Sequence, residues 1–481
     1  MDTWTYLTLD RDVRQLRPSA IAALSAHLSG GTLQRGSDGY DAARRIWNAA
    51  IDRHPAVIAR CLTEDDVQVA VRFASEHRIL TSVRGGGHHI AGNAVADGGL
   101  MIDLSGMRAV EVDSAQRIAR VGAGALLADV DRATQVHGLV TPLGINSTTG
   151  VAGLTLGGGF GWLSRSLGLT IDNLRSVRIV TADGVARTAS PTSEPDLFWA
   201  LRGGGGNFGV VTSFEFALHA LGPDVWSGLV VYPHAQARRV LRAWRDFTLD
   251  APDALSVWAV LRKAPPLPFL APEVHGTDVV LLPLVYAGSV DEGRRATAAV
   301  ATFGDPIAVA LGPTPYAGFQ TAFDGASGAG ARNYWKTHNF AAMSDGALDV
   351  FIDAAAHLPD PQSDVVLVHL GGAIQRVPAS ATAYAARDAR YVVNVHGRWS
   401  DPGLDARGRA WARQAHADAA PHAIGGGYVN FLVEDEGERV AASYGVNHKR
   451  LQLLKRRYDP SNLFRLNLNI TPATQPESGS G

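Results

Sequence analysis

The residues of this 481-residue chain that could do chemistry gather in a few short stretches. The first is Arg84-Gly85-Gly86-Gly87-His88-His89-Ile90-Ala91-Gly92-Asn93. Three consecutive glycines let main-chain N–H groups come close to an anion or a flat ligand. The adjacent histidines support three readings: hydrogen-bonded loop residues, metal ligands, or one imidazole nitrogen held against an electrophilic carbon of a cofactor. The metal reading is the weakest, because sequence neighbours point to different sides and no HExxH or Cys/His spacing accompanies them. Two more glycine clusters follow, at 150–168 and 203–209. Gly204, Gly206 and Gly209 satisfy G-x-G-x-x-G, but a helical pattern precedes them and a strand pattern follows. A dinucleotide fingerprint needs the reverse order, and no G-K-[ST] forms a P-loop. Three clusters between 84 and 209 favour one extended ligand over three unrelated turns.

The elements around these stretches divide the chain. Residues 1–54 read as helices, "SAIAALSAHLSG" among them. From Pro55, strands such as "AVIARCL" and "ILTSV" alternate with the helix "TEDDVQVAVRFASEHR", capped by Thr63 with acids in its first turn. A further helix spans about Leu126 to His137. "VRIVTADGVARTAS" reads as a hairpin with a type I′ turn at Asp183-Gly184. Near Gly222-Pro223 the pattern changes to strands such as "DVVLLPLVYAG", "DVVLVHLGGAI" and "RYVVNVHGRW" with helices between, an α+β domain with a largely antiparallel sheet. The tail "PATQPESGSG" has a disordered composition.

Composition narrows the partners. Lys and Arg total 44 against 46 Asp and Glu, a formal charge of −2, so no basic field points to nucleic acid or an anionic membrane. The single cysteine, Cys61, excludes an intramolecular disulfide and a cysteine-rich metal site. No apolar run is long enough to span a membrane, and no secretory signal is visible. The expectation is a cytoplasmic protein acting on a small molecule, as a monomer or homodimer.

Five stretches in order, "RGGGHHIAGNAVADGGLMIDLSGM", "TTGVAGLTLGGGFGWLSRSLGLTIDNL", "DLFWALRGGGGNFGVVTSFEF", "YVNF" and "YDPSNLFRLNLNI", resemble the berberine bridge enzyme-like FAD-linked oxidases of the vanillyl-alcohol oxidase superfamily. The resemblance runs from about Tyr40 to Ile470. It implies a PCMH-type FAD-binding domain of two subdomains at 55–221 and a substrate domain at 222–425 with helices backing its antiparallel sheet. A segment at 426–470 would return to the FAD domain, and 471–481 would be tail. The family's R-[SG]-G-G-H motif falls on Arg84 to His88. His88 is thereby the expected attachment point for the flavin 8α-methyl carbon, with His89 its neighbour, and Gly85, Gly86 and Gly87 at the pyrophosphate. Gly92 and Asn93 close that stretch. Thr148, Thr149, Gly150, Gly153, Gly158, Gly159, Gly161 and Trp162, with Asp172 and Asn173, are implied to line flavin and diphosphate. Gly209, Val210 and Val211 would contact the adenine end, and Tyr428, Asn430, Asn467 and Asn469 the isoalloxazine ring.

Two departures modify that picture. Many relatives carry a second tether through a cysteine ahead of the T-x-G-V segment, but this chain reads "GINSTTG" there, so a single histidyl linkage is expected. Leu468 stands where a glutamine is common. The activity implied is oxidation: a C–H hydride passes to flavin N5, a base takes the O–H or N–H proton, and O₂ accepts the electrons. Tyr428 is the expected base, and Thr149 and Leu154 the residues governing oxygen access. The opening segment also resembles a bacterial natural-product branch that includes the enterocin-pathway flavin oxygenase. A flavin-N5-oxide monooxygenase is therefore the alternative, and a non-redox cyclase or binding module a third possibility. Tyr334, Trp335, Lys336, His369, Asn394 and His396 are the candidate substrate-pocket residues.

Overall fold

A computed structural model describes residues 3–474; residues 475–481, most of the tail read as disordered, lie outside it. Its first residues correct the helical reading of 1–54. Trp4–Leu7 and Val13–Leu16 pair as an antiparallel hairpin ahead of the helix Pro18–Ala26. Trp4 and Tyr6 are buried and stack at 5.0 Å, whereas Thr5 is exposed. That alternation is the period-2 signature of a half-buried strand.

Two sheets form the first half. Val57–Arg60, Leu100–Asp103 and Thr81–Arg84 run parallel, with Thr32–Leu33 antiparallel at the edge. The helix Glu64–Glu76 packs beside them, capped as expected: Thr63 accepts the Asp66 N–H, and Asp66 accepts the Thr63 N–H. The second sheet is antiparallel, in the order Ala186–Ala189, Leu174–Val180, Val210–Ala217, Ile118–Gly122, Val110–Asp113. The turn of its first hairpin differs from expectation. Gly184 has φ +71° but Asp183 does not have positive φ, so a glycine bulge rather than a type I′ pair closes it.

The second half is an eight-stranded antiparallel sheet. From its middle to one edge, Ala259–Lys263, Asp364–His369, Tyr391–Trp399 and Arg332–Phe340 lie side by side. Helices Ala237–Leu249, Asp345–Ala356 and Asp405–Ala419 bury one face, against Leu367, Tyr391, Val393, Val395 and Trp399. Val366, Val368 and Val392 point the other way, toward Trp162, Trp258 and Tyr428. Among the described residues no helix is long and apolar enough to cross a membrane.

The carboxy-terminal segment is fastened by a fully buried ion pair. Lys455 Nζ lies 2.7 Å from Asp459 Oδ2 and donates to the carbonyls of Asn207 and Phe464. Asp459 accepts the N–H groups of Leu463 and Phe464. One ammonium thus binds the Gly203–Gly209 loop to the terminal motif. Removing half of such a pair leaves a buried charge uncompensated. Lys455→Met is therefore expected to cost about 3–5 kcal/mol, read as a lowered Tm, and adding Asp459→Asn should recover part of it.

Burial also fixes protonation inside this half. His338 is pulled from the ordinary 6.5 to about 4 by burial, and His369 to about 2 by burial and the Arg165 charge. Both stay neutral in the fold, while the unfolded chain takes up their protons below pH 6.5. Stability should fall as pH drops from 6.5 toward about 4, by up to about 1.4 kcal/mol per pH unit for each ring. A Tm series against pH tests this. His369→Gln should flatten the acid slope, and an unchanged slope would refute it.

Candidate functional site

The two halves enclose a cavity of about 330 Å³. One wall is main chain. The strand Thr81–Arg84 ends at the glycine run, and the helix Val151–Leu156 starts just after Gly150. Gly86 and Gly150 meet backbone to backbone: a Cβ on Gly86 would lie 2.4 Å from the Gly150 nitrogen. Gly87 has φ +66°, a conformation only glycine takes cheaply. Gly153 faces open space, with nothing within 4 Å of where its Cβ would be. Gly85 to His89, Asn93, Thr149, Gly150, Gly153, Leu154 and Gly209 to Val211 all line this cavity, as do Tyr428, Asn430 and Asn467.

The opposite wall is the sheet, and strand parity decides who reaches it. Successive side chains on a strand alternate faces. Asp364, Val366 and Val368 face the cavity on one strand, Asn394, His396 and Arg398 on the next, and Asn333 and Trp335 on the third. His369, Tyr334 and Lys336 have the other parity and belong to the far side. His369 Nε2 accepts from Arg165 Nη1 at 2.9 Å, the Tyr334 hydroxyl donates to Asp435, and Lys336 pairs with Asp435 at 2.8 Å. These three candidate pocket residues are structural.

Other expected contacts also lie away from the cavity. Arg84 is turned back onto the carbonyl of Ala43. Asp172 holds Arg387 through two 2.7 Å bonds, and Asn173 donates to the carbonyls of Leu167 and Leu169. Thr148 bonds Asn146, and Gly92 packs on Ile51. Gly161 packs on the Leu143 carbonyl, and Trp162 stacks on Trp258 at 4.3 Å behind the wall. Asn469 does not line the cavity either, although its Oδ1 is buried without a partner. Gly158 and Gly159 act one step removed: the Gly159 N–H donates to the Tyr428 hydroxyl at 3.0 Å.

Several lining residues escaped the sequence reading. Trp47 comes from the amino-terminal segment, donates to the Ser327 carbonyl, and stacks on the His88 ring at 4.5 Å. Asp364 and Arg398 come from central strands, and Trp258 and Phe431 complete an aromatic lining. Only Asp364 had a legible signal, a carboxylate opening an otherwise apolar strand. Cys61 is buried in the first core, outside the cavity.

The electrostatics separate the site's titratable groups. Burial, with the Arg398 charge added, pulls His88 to about 4, so its ring is a neutral imidazole with Nε2 unpartnered. Burial and Arg53 hold His89 at about 4, and its Nδ1 accepts the Ala91 N–H. Tyr428 differs from the expected base. Burial and neighbouring Tyr384 push its phenol well above the usual 10, although the Asn430 amide and Gly159 N–H, both donating to it, offset part of that rise. Among the described residues no cation contributes to its shift.

The unpartnered buried atoms on the cavity walls include His88 Nε2, Trp335 Nε1, His396 Nε2, Asn467 Oδ1 and both polar atoms of Asn394. Buried polar atoms of this kind are normally satisfied. A long ligand with a polar heteroaromatic ring, running over the bare glycine backbone, fits them, and FAD is such a ligand.

Comparison with known proteins agrees. Residues 55–190 match the family model described as FAD binding domain, and 427–471 that described as Berberine and berberine like. A FAD-linked oxidoreductase of Dictyostelium discoideum is 30% identical, covering 92% of this chain and 95% of its own. The (R)-6-hydroxynicotine oxidase of Paenarthrobacter nicotinovorans is 30% identical over 94% of this chain and 99% of its own. The crystal structure of 6-hydroxy-D-nicotine oxidase from Arthrobacter nicotinovorans superposes with a TM-score of 0.83 at 28% identity, over 93% and 98% of the two chains. These neighbours share the PCMH-type architecture, and with it this α+β chain belongs to the berberine bridge enzyme-like family of FAD-linked oxidoreductases.

Proposed function

We propose that this oxidoreductase is an oxidase: a small-molecule alcohol or amine gives up a C–H hydride and an O–H or N–H proton in the cavity, and O₂ is the final electron acceptor. The observation that carries the reading is the cavity itself, where glycine backbone faces a sheet wall bearing unpaired imidazole, amide and indole groups. Bound FAD supplies the hydride acceptor, and the protein supplies position and electrostatics.

The chain's own residues divide that work. The Gly85–Gly87 backbone and Gly150 leave room for the diphosphate portion, and Val210 and Val211 flank the far end. His88 carries the single covalent attachment. A neutral ring has the free lone pair such a bond needs, and stacking on Trp47 fixes its plane. Asn467 and Asn430 present polar atoms toward the reacting ring. Thr149 and Leu154 close the helix side of the cavity and control what small molecule reaches it. The Tyr428 hydroxyl, already accepting two N–H donors, positions the substrate or ring edge rather than removing its proton.

Denaturation should leave the flavin on the chain, with an intact mass heavier by one FAD. His88→Ala should release it and Cys61→Ser should change nothing; a tether surviving His88→Ala would overturn the assignment. Turnover should yield stoichiometric H₂O₂. Oxygen from ¹⁸O₂ appearing in the product instead would make the protein an oxygenase. Tyr428→Phe should slow flavin reduction by roughly tenfold, the worth of a hydrogen bond. A loss beyond roughly 100-fold would restore the tyrosine as base.

A further inference from the structure

We infer that His396, oriented by Asp364, takes the substrate proton, and that the substrate is a planar aromatic molecule carrying the acidic O–H or N–H. This rests on the oxidase reading and names the base and substrate class within it.

The register of the sheet builds the pair. Asp364 and His396 are directly opposite on adjacent strands, and Trp335 is opposite His396 on the next. Directly opposed side chains on one face stand within reach of each other. His396 Nδ1 lies 2.8 Å from Asp364 Oδ1, and the imidazole stacks on Trp335 at 4.5 Å with 21° between planes. Asp364 Oδ1 has no other donor aligned on it, and a carboxylate this close to Nδ1 favours the proton there, leaving Nε2 as the acceptor nitrogen. Nε2 is buried, has no protein partner, and belongs to a ring that lines the cavity. The pair has the arrangement of a general base with its orienting acid.

The surroundings keep the acid ionised. Burial alone would raise Asp364, but His396, through its charge once protonated and its hydrogen bond, and then the permanent Arg262 and Arg398 charges outweigh it and hold the carboxyl below its ordinary value. Arg262 Nη1 reaches Asp364 Oδ2 at 3.3 Å from the neighbouring strand. Arg398 lies two residues beyond His396 on the same face, and His88, across the cavity, is neutral. Lys336 and Asp435 pair on the opposite face of the sheet.

The proton balance is simple. The substrate O–H or N–H bond breaks, its electron pair stays on oxygen or nitrogen, and the proton forms an N–H bond at His396 Nε2. The neutral imidazole becomes an imidazolium beside the Asp364 carboxylate, so the pair moves from one negative charge to none.

The walls indicate the substrate. Trp47, Phe160, Trp258, Trp335, Tyr428 and Phe431 line the cavity that His396 enters, together with Val366 and Val368. The polar side chains of the sheet wall, Asn333, Asp364, Asn394, His396 and Arg398, form one cluster on three neighbouring strands, apart from these apolar faces. A sugar carries a hydroxyl on nearly every carbon and would leave those over the indole and phenyl faces unpaired, at a cost per group. A flat aromatic with one ionisable group satisfies both the walls and the cluster.

The test uses flavin-loaded enzyme and 4-hydroxyacetophenone, a phenol with no oxidisable carbon beside its hydroxyl, buffered well below the pKa of the free phenol. Difference spectra report whether the bound probe is neutral or ionised. Wild type and Tyr428→Phe should bind it as the phenolate; His396→Gln should bind it neutral. Asp364→Asn should move the ionisation midpoint of the bound probe upward by about 1 pH unit, a tenfold loss, and Asp364→Glu should recover part of it. That shift is a readout a purely structural carboxylate would not produce, and it stands if His396→Gln fails to fold. Ionised probe in His396→Gln, or its loss in Tyr428→Phe alone, would overturn the base assignment. Failure of the probe to bind wild type would overturn the aromatic substrate class. Failure of the oxidase reading would show differently, as wild-type flavin that no substrate reduces while the probe still ionises.

Discussion

Contact between two bare main chains, at Gly86 and Gly150, governs how the site is built. With only 2.4 Å between a would-be Cβ on Gly86 and the Gly150 nitrogen, neither position tolerates a side chain. The strand end at Arg84 and the helix start at Val151 can therefore sit shoulder to shoulder, and the surface they jointly present is peptide. Peptide surface of this kind suits a phosphate-bearing ligand, because N–H groups approach it without intervening carbon. The long reach of the carboxy-terminal segment follows. Lys455 must tie the Gly203–Gly209 loop to Phe464 so that Asn467 completes the same cavity.

The facing wall obeys a different constraint. A sheet covered by helices on one side and by a cavity on the other sorts its residues strictly by parity. Every odd residue from Val365 to Leu367 and from Tyr391 to Trp399, glycine aside, meets the helices, and the even ones face the ligand space or the aromatic residues around it. Cross-strand register then turns alternation into chemistry, aligning Asp364, His396 and Trp335 in one row. A one-residue slip would turn Asp364 or His396 to the helix face and bring Ser363 or Val365, or Val395 or Gly397, into the row instead.

The two walls differ in how far they can be read from the residues alone. Glycine clusters were readable because little besides positive φ or a close backbone approach favours three glycines in a row. The α+β halves and the change near residue 222 were readable from strand and helix periodicity, whereas the place of the histidines after the glycines left three readings open and only the family motif singled out His88. Parity in "DVVLVH" and "RYVVNVHGRW" was not, because both faces are buried and nearly every position is apolar. His369 and His396 look alike in such strings, yet one serves Arg165 and the other the cavity. Trp47 and Arg398 were invisible for want of any local pattern: their roles come from distant chain segments. Asp172 and Asn173 were misplaced because a polar pair after a glycine-rich loop fits a ligand or a structural clamp equally well. The amino-terminal hairpin did carry its signal, in the alternation of Trp4 and Tyr6.

Two histidines end up in one cavity with opposite electrostatic company, and one arginine influences both. Arg398 holds its guanidinium 5.3 Å above the Trp47 ring, on which His88 stacks. Its positive charge disfavours a proton on His88, adding to burial, and favours the ionised form of Asp364 beside His396. On the proposed attachment, a ring that offers a lone pair to carbon gains from the first effect. A ring that must receive and hold a proton gains from the second, through its carboxylate partner. Trp47 and Trp335 meet edge to face at 5.5 Å between the two imidazoles and keep them apart. On the proposed assignments, the same residue type serves attachment beside one indole and proton removal beside the other, with a fixed charge and two indoles maintaining the difference.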